Sequence, residues 1–200
     1  MYQTMNIRNL TCCFLAGLFV LITGFDEKKP TSKKKKLEVA KSSSGQANPK
    51  KYPVSPYKIV IDKSDYELHV YDEEGWLATY PIVFGNKKQD DKRMEGDRLT
   101  PEGTFQISFK KYHKEWGCFL LLDYPNDESY GKFKTRKASG TIPKTARIGG
   151  GIGIHGTRPH EEYAVDKYMN WTNGCISVKY SDIFELYDLI PLGTEVVVQK

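Results

Sequence analysis

From Pro56 onward, apolar and polar positions alternate with a period close to two. YKIVIDKS (57–64), YELHVYD (66–72) and WLATYPIVFG (76–85) each turn every second side chain to an apolar face, and DEEG (72–75) reads as the turn between the last two. The pattern returns in TPEGTFQISFKK (100–111) and in GTEVVVQK (193–200), so a meander of strands is expected. WGCFLLLDY is a continuous apolar run, the mark of a buried strand over 118–124. RIGGGIGIHGT (147–157) reads as a glycine-rich strand, where glycine permits close backbone approach or a bend. The polar stretch NKKQDDKRMEGD (86–97) and the segment Pro125–Ala138 read as exposed loops. Helical spacing is clearest in SDIFELYDLI (181–190), with apolar residues at 183, 184, 186, 187 and 190 behind Ser181 as N-cap. A mainly β domain with one or two short helices is therefore expected over residues 56–200.

The chain ahead of this domain has a different character. LTCCFLAGLFVLITGF (Leu10–Phe25) has no charge and follows Arg8, so residues 1–25 read as a signal peptide or a short membrane anchor. Cys12 and Cys13 precede the main apolar run and read as small apolar members of it. Residues 26–55 are rich in Lys, Ser and Pro with little to bury, a solvated linker. Export to the periplasm or cell envelope is the expectation, with the membrane met only through the N-terminal segment.

The formal charge of +5 changes meaning once it is located. Residues 1–54 carry 10 Lys+Arg against 3 Asp+Glu, whereas residues 55–200 carry 20 against 22. The basic excess belongs to the tail, and the near-neutral domain lacks the electrostatic footprint of a nucleic-acid binder.

Within the domain two thiols remain. Cys118 sits in the apolar run and reads as core filler; a bridge to Cys175 would be conceivable in an oxidising compartment and would silence a catalytic thiol. Cys175 lies in NWTNGCISV, where Gly174 frees the backbone so that successive N–H groups can share one concavity. A cysteine nucleophile needs a base, a group that orients the base, and N–H donors for the oxyanion. Of four histidines, His69 and His113 read as structural or surface residues and His160 as solvated. His155 ends an apolar glycine-rich strand and can present its ring to a site while Gly156 and Thr157 turn away.

His-Gly-Thr at 155–157, sixteen residues from Gly156 through Trp171, and then Thr-Asn-Gly-Cys at 172–175 together resemble the signature of the L,D-transpeptidases of the YkuD type. YELHVYDEEGWLATYPIVFGN is similar to that family's opening hairpin, EGDRLTPEGTF to its Gly-Asp-x-x-Thr-Pro-x-Gly-x-Phe segment, and LLDYPN to its asparagine-containing strand, covering residues from about 57 to 198. Two departures stand out. Asn173 replaces the histidine often found before Gly-Cys, and Ser177 stands where many members carry arginine; if that arginine holds a substrate carboxylate, another group such as Arg158 or Arg147 must serve here. The Trp-Thr-x-Gly-Cys-Ile form looks like a sub-branch that includes hydrolytic enzymes.

The resemblance implies a β-sandwich fold and a monomeric enzyme acting on peptidoglycan stem peptides. His155 would deprotonate Cys175, the thiolate would attack the carbonyl of a diamino acid, D-alanine would leave, and an amine or water would resolve the thioester. The Gly156 carbonyl is suited to accept from the other His155 ring N–H and fix its tautomer. The amides of Asn173, Gly174 and Cys175 are the oxyanion candidates; Thr172 either binds substrate or braces the loop. No metal or other cofactor is required. The rival readings are an amidase hydrolysing wall-linked bonds, a non-catalytic wall-binding module, and a zinc site built from His155, His160 and Cys175.

Overall fold

The computed structural model describes residues 52–200. The hydrophobic segment expected at 1–25 and the linker up to residue 51 lie outside the described residues. Residues 52–55, assigned to the linker on composition, pack on the domain instead: the Tyr52 hydroxyl donates to the Ser108 carbonyl at 2.9 Å and Ser55 shares a 2.8 Å hydrogen bond with Thr194.

Alternation produces the expected strands β1 (Lys58–Asp62), β2 (Glu67–Asp72) and β3 (Gly75–Pro81). Ile59, Ile61, Leu68 and Val70 fill the core while their neighbours face outward. The turn between β2 and β3 is closed by the Asp72 carboxylate, which accepts from the Glu74 and Gly75 amides at 2.8 and 3.1 Å. The remaining strands are β4 (Gly103–His113), β5 (Gly117–Leu122), β6 (Gly153–Gly156), β7 (Ile176–Val178) and β8 (Glu195–Gln199). They join in the order β3-β2-β1-β8-β4-β5-β6-β7.

Strand β4 is long enough to serve two neighbours. Residues 103–106 pair with β8 and residues 107–113 with β5, with a register irregularity between Ile107 and Phe109. The two halves of the sheet face each other across one core that unites Ile59, Leu68 and Val196 with Leu120, Ile154 and Ile176. Val83, just beyond β3, bridges to Ser177 in β7, so the far ends of the sheet also meet. The expected mainly β, two-layered architecture is thus one sheet bent into a near-barrel.

Three helices accompany it: α1 (Asp127–Ala138), α2 (Tyr163–Asp166) and α3 (Asp182–Leu189). Helix α3 is the expected one, burying Ile183 and Leu186, although Ser181 makes no capping hydrogen bond through its side chain. Helix α1 corrects the loop expected at Pro125–Ala138. Asn126 caps it by accepting from the Ser129 amide at 3.1 Å, acidic Asp127 and Glu128 open it, and Arg136 and Lys137 close it. None of its residues is fully buried, so it carries no apolar stripe to betray it. The loop at 86–97 is also less exposed than its polarity suggests. Lys92 is buried with its ammonium 2.7 Å from Asp97, and Arg136 of α1 holds the Asp91 carboxylate and the Lys92 carbonyl, each at 2.6 Å.

Candidate active site

Strands β6 and β7 run parallel, with Ile154 opposite Ile176 and His155 opposite Ser177. Ile154 and Ile176 point into the core. The next positions point the other way, which places His155 and Ser177 side by side on the opposite face. Cys175, two residues before Ser177, immediately precedes β7. The sheet therefore sets His155 in β6 and Cys175 immediately ahead of β7, on neighbouring parallel strands though twenty positions apart in sequence.

The His155 ring is only 2% exposed. Its Nδ1 lies 2.8 Å from the Gly156 carbonyl oxygen, which can only accept, so Nδ1 carries the proton and Nε2 is left as the basic nitrogen. Aromatic rings wall it in. Trp116 stacks on it with centroids 4.6 Å apart, Phe119 lies at 6.0 Å, and Trp171 meets it edge-on at 5.4 Å. His113 stacks in turn on Trp116 at 4.1 Å. Burial in this apolar cage pushes the His155 pKa down to about 4 against the pull of the Gly156 carbonyl, so the ring is neutral near pH 7. Sequence reasoning missed Trp116 and Phe119. Both sit on the β4–β5 hairpin, whose Trp116 carbonyl accepts from the Gly156 amide at 3.1 Å and so sutures the hairpin to β6.

The loop before Cys175 is held from three sides. The Phe84 carbonyl accepts from the Trp171 and Thr172 amides, and the Asn170 side chain accepts from the Phe84 amide at 2.7 Å. Arg98 Nε donates to the Thr172 carbonyl at 3.2 Å, and the Thr100 hydroxyl donates to the Gly174 carbonyl at 3.0 Å. Thr172 is buried, donating to the Cys175 carbonyl at 2.7 Å and accepting from the Gly174 amide at 3.2 Å. Of its two readings, bracing is the one its contacts support. The same bond engages the Gly174 N–H, leaving the Asn173 and Cys175 amides as the stronger oxyanion candidates. Gly174 has φ +122°, and a β-carbon there would lie 2.7 Å from the Leu99 carbonyl, so glycine is required. At Gly153 a β-carbon would meet the Leu120 carbonyl at 2.5 Å, the close approach expected of this glycine-rich strand.

Cys175 is partly exposed and free, as is the fully buried Cys118. Its thiol donates to the Gly151 carbonyl at 3.5 Å. Burial pushes its pKa above the ordinary range, while the Gly153 backbone N–H and the nearby Lys92 charge pull it down. In this resting arrangement thiol and imidazole are both neutral, and the thiol proton is turned to a carbonyl rather than to His155.

Of the other candidates, Asn173 is exposed and lines a cleft of about 440 Å³ with Lys92, Glu95, Arg98, Gly150 and Ile152. Arg158 lies over Trp171 at 6.0 Å, between the carboxylates of Glu115 (3.8 Å) and Glu161 (3.6 Å). Arg147 is paired with Glu95 at 2.8 Å. His160 is exposed, away from the His155 cage, and among the described residues no group of three or more His, Cys, Asp or Glu side chains is arranged to hold a metal ion.

The family model for the YkuD L,D-transpeptidase catalytic domain matches residues 56–198. A Bacillus subtilis (strain 168) relative, YqjB, assigned by name to the L,D-transpeptidases, is 29% identical over 153 residues, covering 73% of this chain and 72% of that protein. Among solved structures, the helical cell shape determining protein Pgp2 from Campylobacter jejuni is similar with a TM-score of 0.54 and 24% identity, over 73% of this chain and 48% of that one. Bd1075 from Bdellovibrio bacteriovorus gives 0.52 and 22%, over 72% and 48%. The chain thus spans about half the length of these two solved proteins, and at such identities the likeness is one of fold.

Proposed function

The chain belongs to the YkuD family of L,D-transpeptidase catalytic domains, and we propose that it transfers acyl groups of peptidoglycan stem peptides through a thioester on Cys175. The observation that carries this reading is the parallel pairing of β6 and β7, which sets Cys175 at the head of one strand and, on the other, a His155 whose tautomer is fixed by the Gly156 carbonyl.

The two pKa directions define how the dyad works. A neutral imidazole and a neutral thiol do not form a standing ion pair, so the proton passes from Sγ to Nε2 as sulfur attacks the carbonyl. The Asn173 and Cys175 amides receive the developing oxyanion. The imidazolium then gives its proton to the departing amine of the terminal residue, leaving the thioester. An incoming amine loses its proton to His155 and forms the new amide; water in its place gives a carboxylate. The apolar walls of Trp116, Phe119 and Trp171 disfavour a charged imidazole, which drives the proton onward to the leaving group.

A stem tetrapeptide with an added amine acceptor, in water enriched in heavy oxygen, tests the reading. Intact-mass spectra should show the acyl group on Cys175, and Cys175→Ala should abolish both adduct and product. Undiminished turnover in Cys175→Ala refutes the proposal. Heavy oxygen in a released carboxylate assigns water as an acceptor, and amine-linked product without label assigns transfer alone.

A further inference from the structure

The cleft beside the cysteine loop contains one cation with nothing to neutralise it. Its walls include Gly150 and Ile152, which flank the Gly151 carbonyl that receives the Cys175 thiol, and Asn173, two residues before that thiol. Lys92 is spent on Asp97 at 2.7 Å, and Glu95 is spent on Arg147 at 2.8 Å. Among the described residues the only hydrogen bond of the Arg98 guanidinium runs from Nε to the Thr172 carbonyl at 3.2 Å, and no carboxylate pairs with it. That bond aligns the guanidinium with the Gly-Cys loop and leaves both terminal nitrogens free to present a fork. Arg98 also has φ +59°, a left-handed conformation that a non-glycine residue adopts at some cost and that concentrates at functional sites. The two arginines considered from sequence are by contrast engaged, Arg147 by Glu95 and Arg158 by Glu115 and Glu161. Ser177 is wholly buried beside His155 and supplies no charge.

We propose that Arg98 is the specificity residue of this site, binding the terminal carboxylate of the acyl-donor peptide so that the enzyme reads a free chain end one residue beyond the bond it attacks. The inference rests on the acyl-transfer reading given above. Only the amide nitrogen and one carbon separate a terminal carboxylate from the attacked carbonyl, so an anion anchor hydrogen-bonded to the loop that carries the nucleophile suits that spacing. A free guanidinium fork and a carboxylate match in bidentate geometry, which a lysine cannot reproduce.

Two measurements on the full chain test it, with Arg98→Gln, Arg98→Lys and Arg98→Gly as variants; the glycine variant suits the positive φ and separates loss of the cation from loss of fold. In the first, Cys175 is alkylated at low salt with anionic iodoacetate or neutral iodoacetamide. The iodoacetate-to-iodoacetamide rate ratio should fall about tenfold in Arg98→Gln and Arg98→Gly, the scale of a lost charge-assisted hydrogen bond, and less in Arg98→Lys. In the second, kcat/KM is compared for donors ending in a free carboxylate and in its amide, and the acid-to-amide preference should fall by a similar factor. A merely structural role of Arg98 would slow both members of each pair equally, leaving the ratios unchanged and overturning the assignment. Donors that acylate Cys175 with the same acid preference in Arg98→Gln also overturn it while the acyl-transfer reading stands. A shifted reagent ratio with no acylation by any donor keeps the anion site and overturns both its assignment to a donor peptide and the acyl-transfer reading.

Discussion

Protonating His155 should destabilise the domain, and the size of the effect follows from the aromatic cage. An exposed imidazole titrates at 6.5, whereas burial brings His155 to about 4 in the folded protein. Between those values the unfolded chain binds a proton that the folded one refuses, so stability rises with pH across this window by about 1.4 kcal/mol per pH unit at its steepest. Above 6.5 the contribution is fully present; it is lost as pH falls, and by pH 4 the loss attributable to this ring approaches about 3 kcal/mol. That is a large share of the roughly 5–15 kcal/mol that holds an ordinary domain together. Urea unfolding of wild type and His155→Asn from pH 8 to pH 4 isolates the term, because every other titrating group is common to both. The wild-type minus variant difference should shrink by about 3 kcal/mol on acidification. Trp116→Ala removes the ring stacked at 4.6 Å and lets water in, so in that background the pH-dependent difference should be distinctly smaller. A difference that stays flat from pH 8 to pH 4 would show that the cage does not exclude the imidazolium, and with it the argument for a neutral dyad would fall.

Three further outcomes follow from the same geometry. Of the two cysteines among the described residues, iodoacetamide should modify Cys175 and spare Cys118 in the native protein, because Cys118 is fully buried and burial pushes its thiol up; peptide mapping that finds Cys118 labelled at a comparable rate contradicts the burial. Gly174→Ala should cost about 1–3 kcal/mol of stability from left-handed strain alone and collapse turnover, since its β-carbon would press on the Leu99 carbonyl; wild-type melting and activity would show that the loop is not held there. Thr100→Val should leave the buried Gly174 carbonyl without its donor, costing about 1–3 kcal/mol and lowering kcat more than it raises KM, as steady-state kinetics can check.

The strands and the motif that carries His155 and Cys175 were legible because their signals are local. A period of two survives in a single strand, and the residue spacing of a motif is fixed by the covalent chain. Helix α1 was illegible for the opposite reason: it buries no residue fully, so its evident features are an asparagine cap and charges sorted to its ends. The braces of the cysteine loop were also hidden. Arg98 and Thr100 reach their partners across 74 positions of sequence, and neither residue type announces a hydrogen bond to a carbonyl. Lys92 misled outright, since a lysine in a polar run reads as solvated until Asp97 and α1 enclose it. The cage around His155 belongs to the same class, being built where a hairpin folds over a strand that is distant in sequence.

Strand β8 has a consequence for the order in which the molecule can be assembled. It lies between β1 and β4, parallel to one and antiparallel to the other, and the Gln199 side chain meets Asp62 across 137 residues of chain. Until residues 195–199 have been made, β1 with its hairpin and β4 with the site-bearing strands are two fragments, each with a raw backbone edge. Neither fragment has the other wall of the core, and joining them through β1 and β8 requires pairing residues 137 positions apart in the chain, a slow kind of closure. The keystone is thus the last strand to arrive, and a chain interrupted just short of it would be left with two adhesive half-sheets in place of a closed domain.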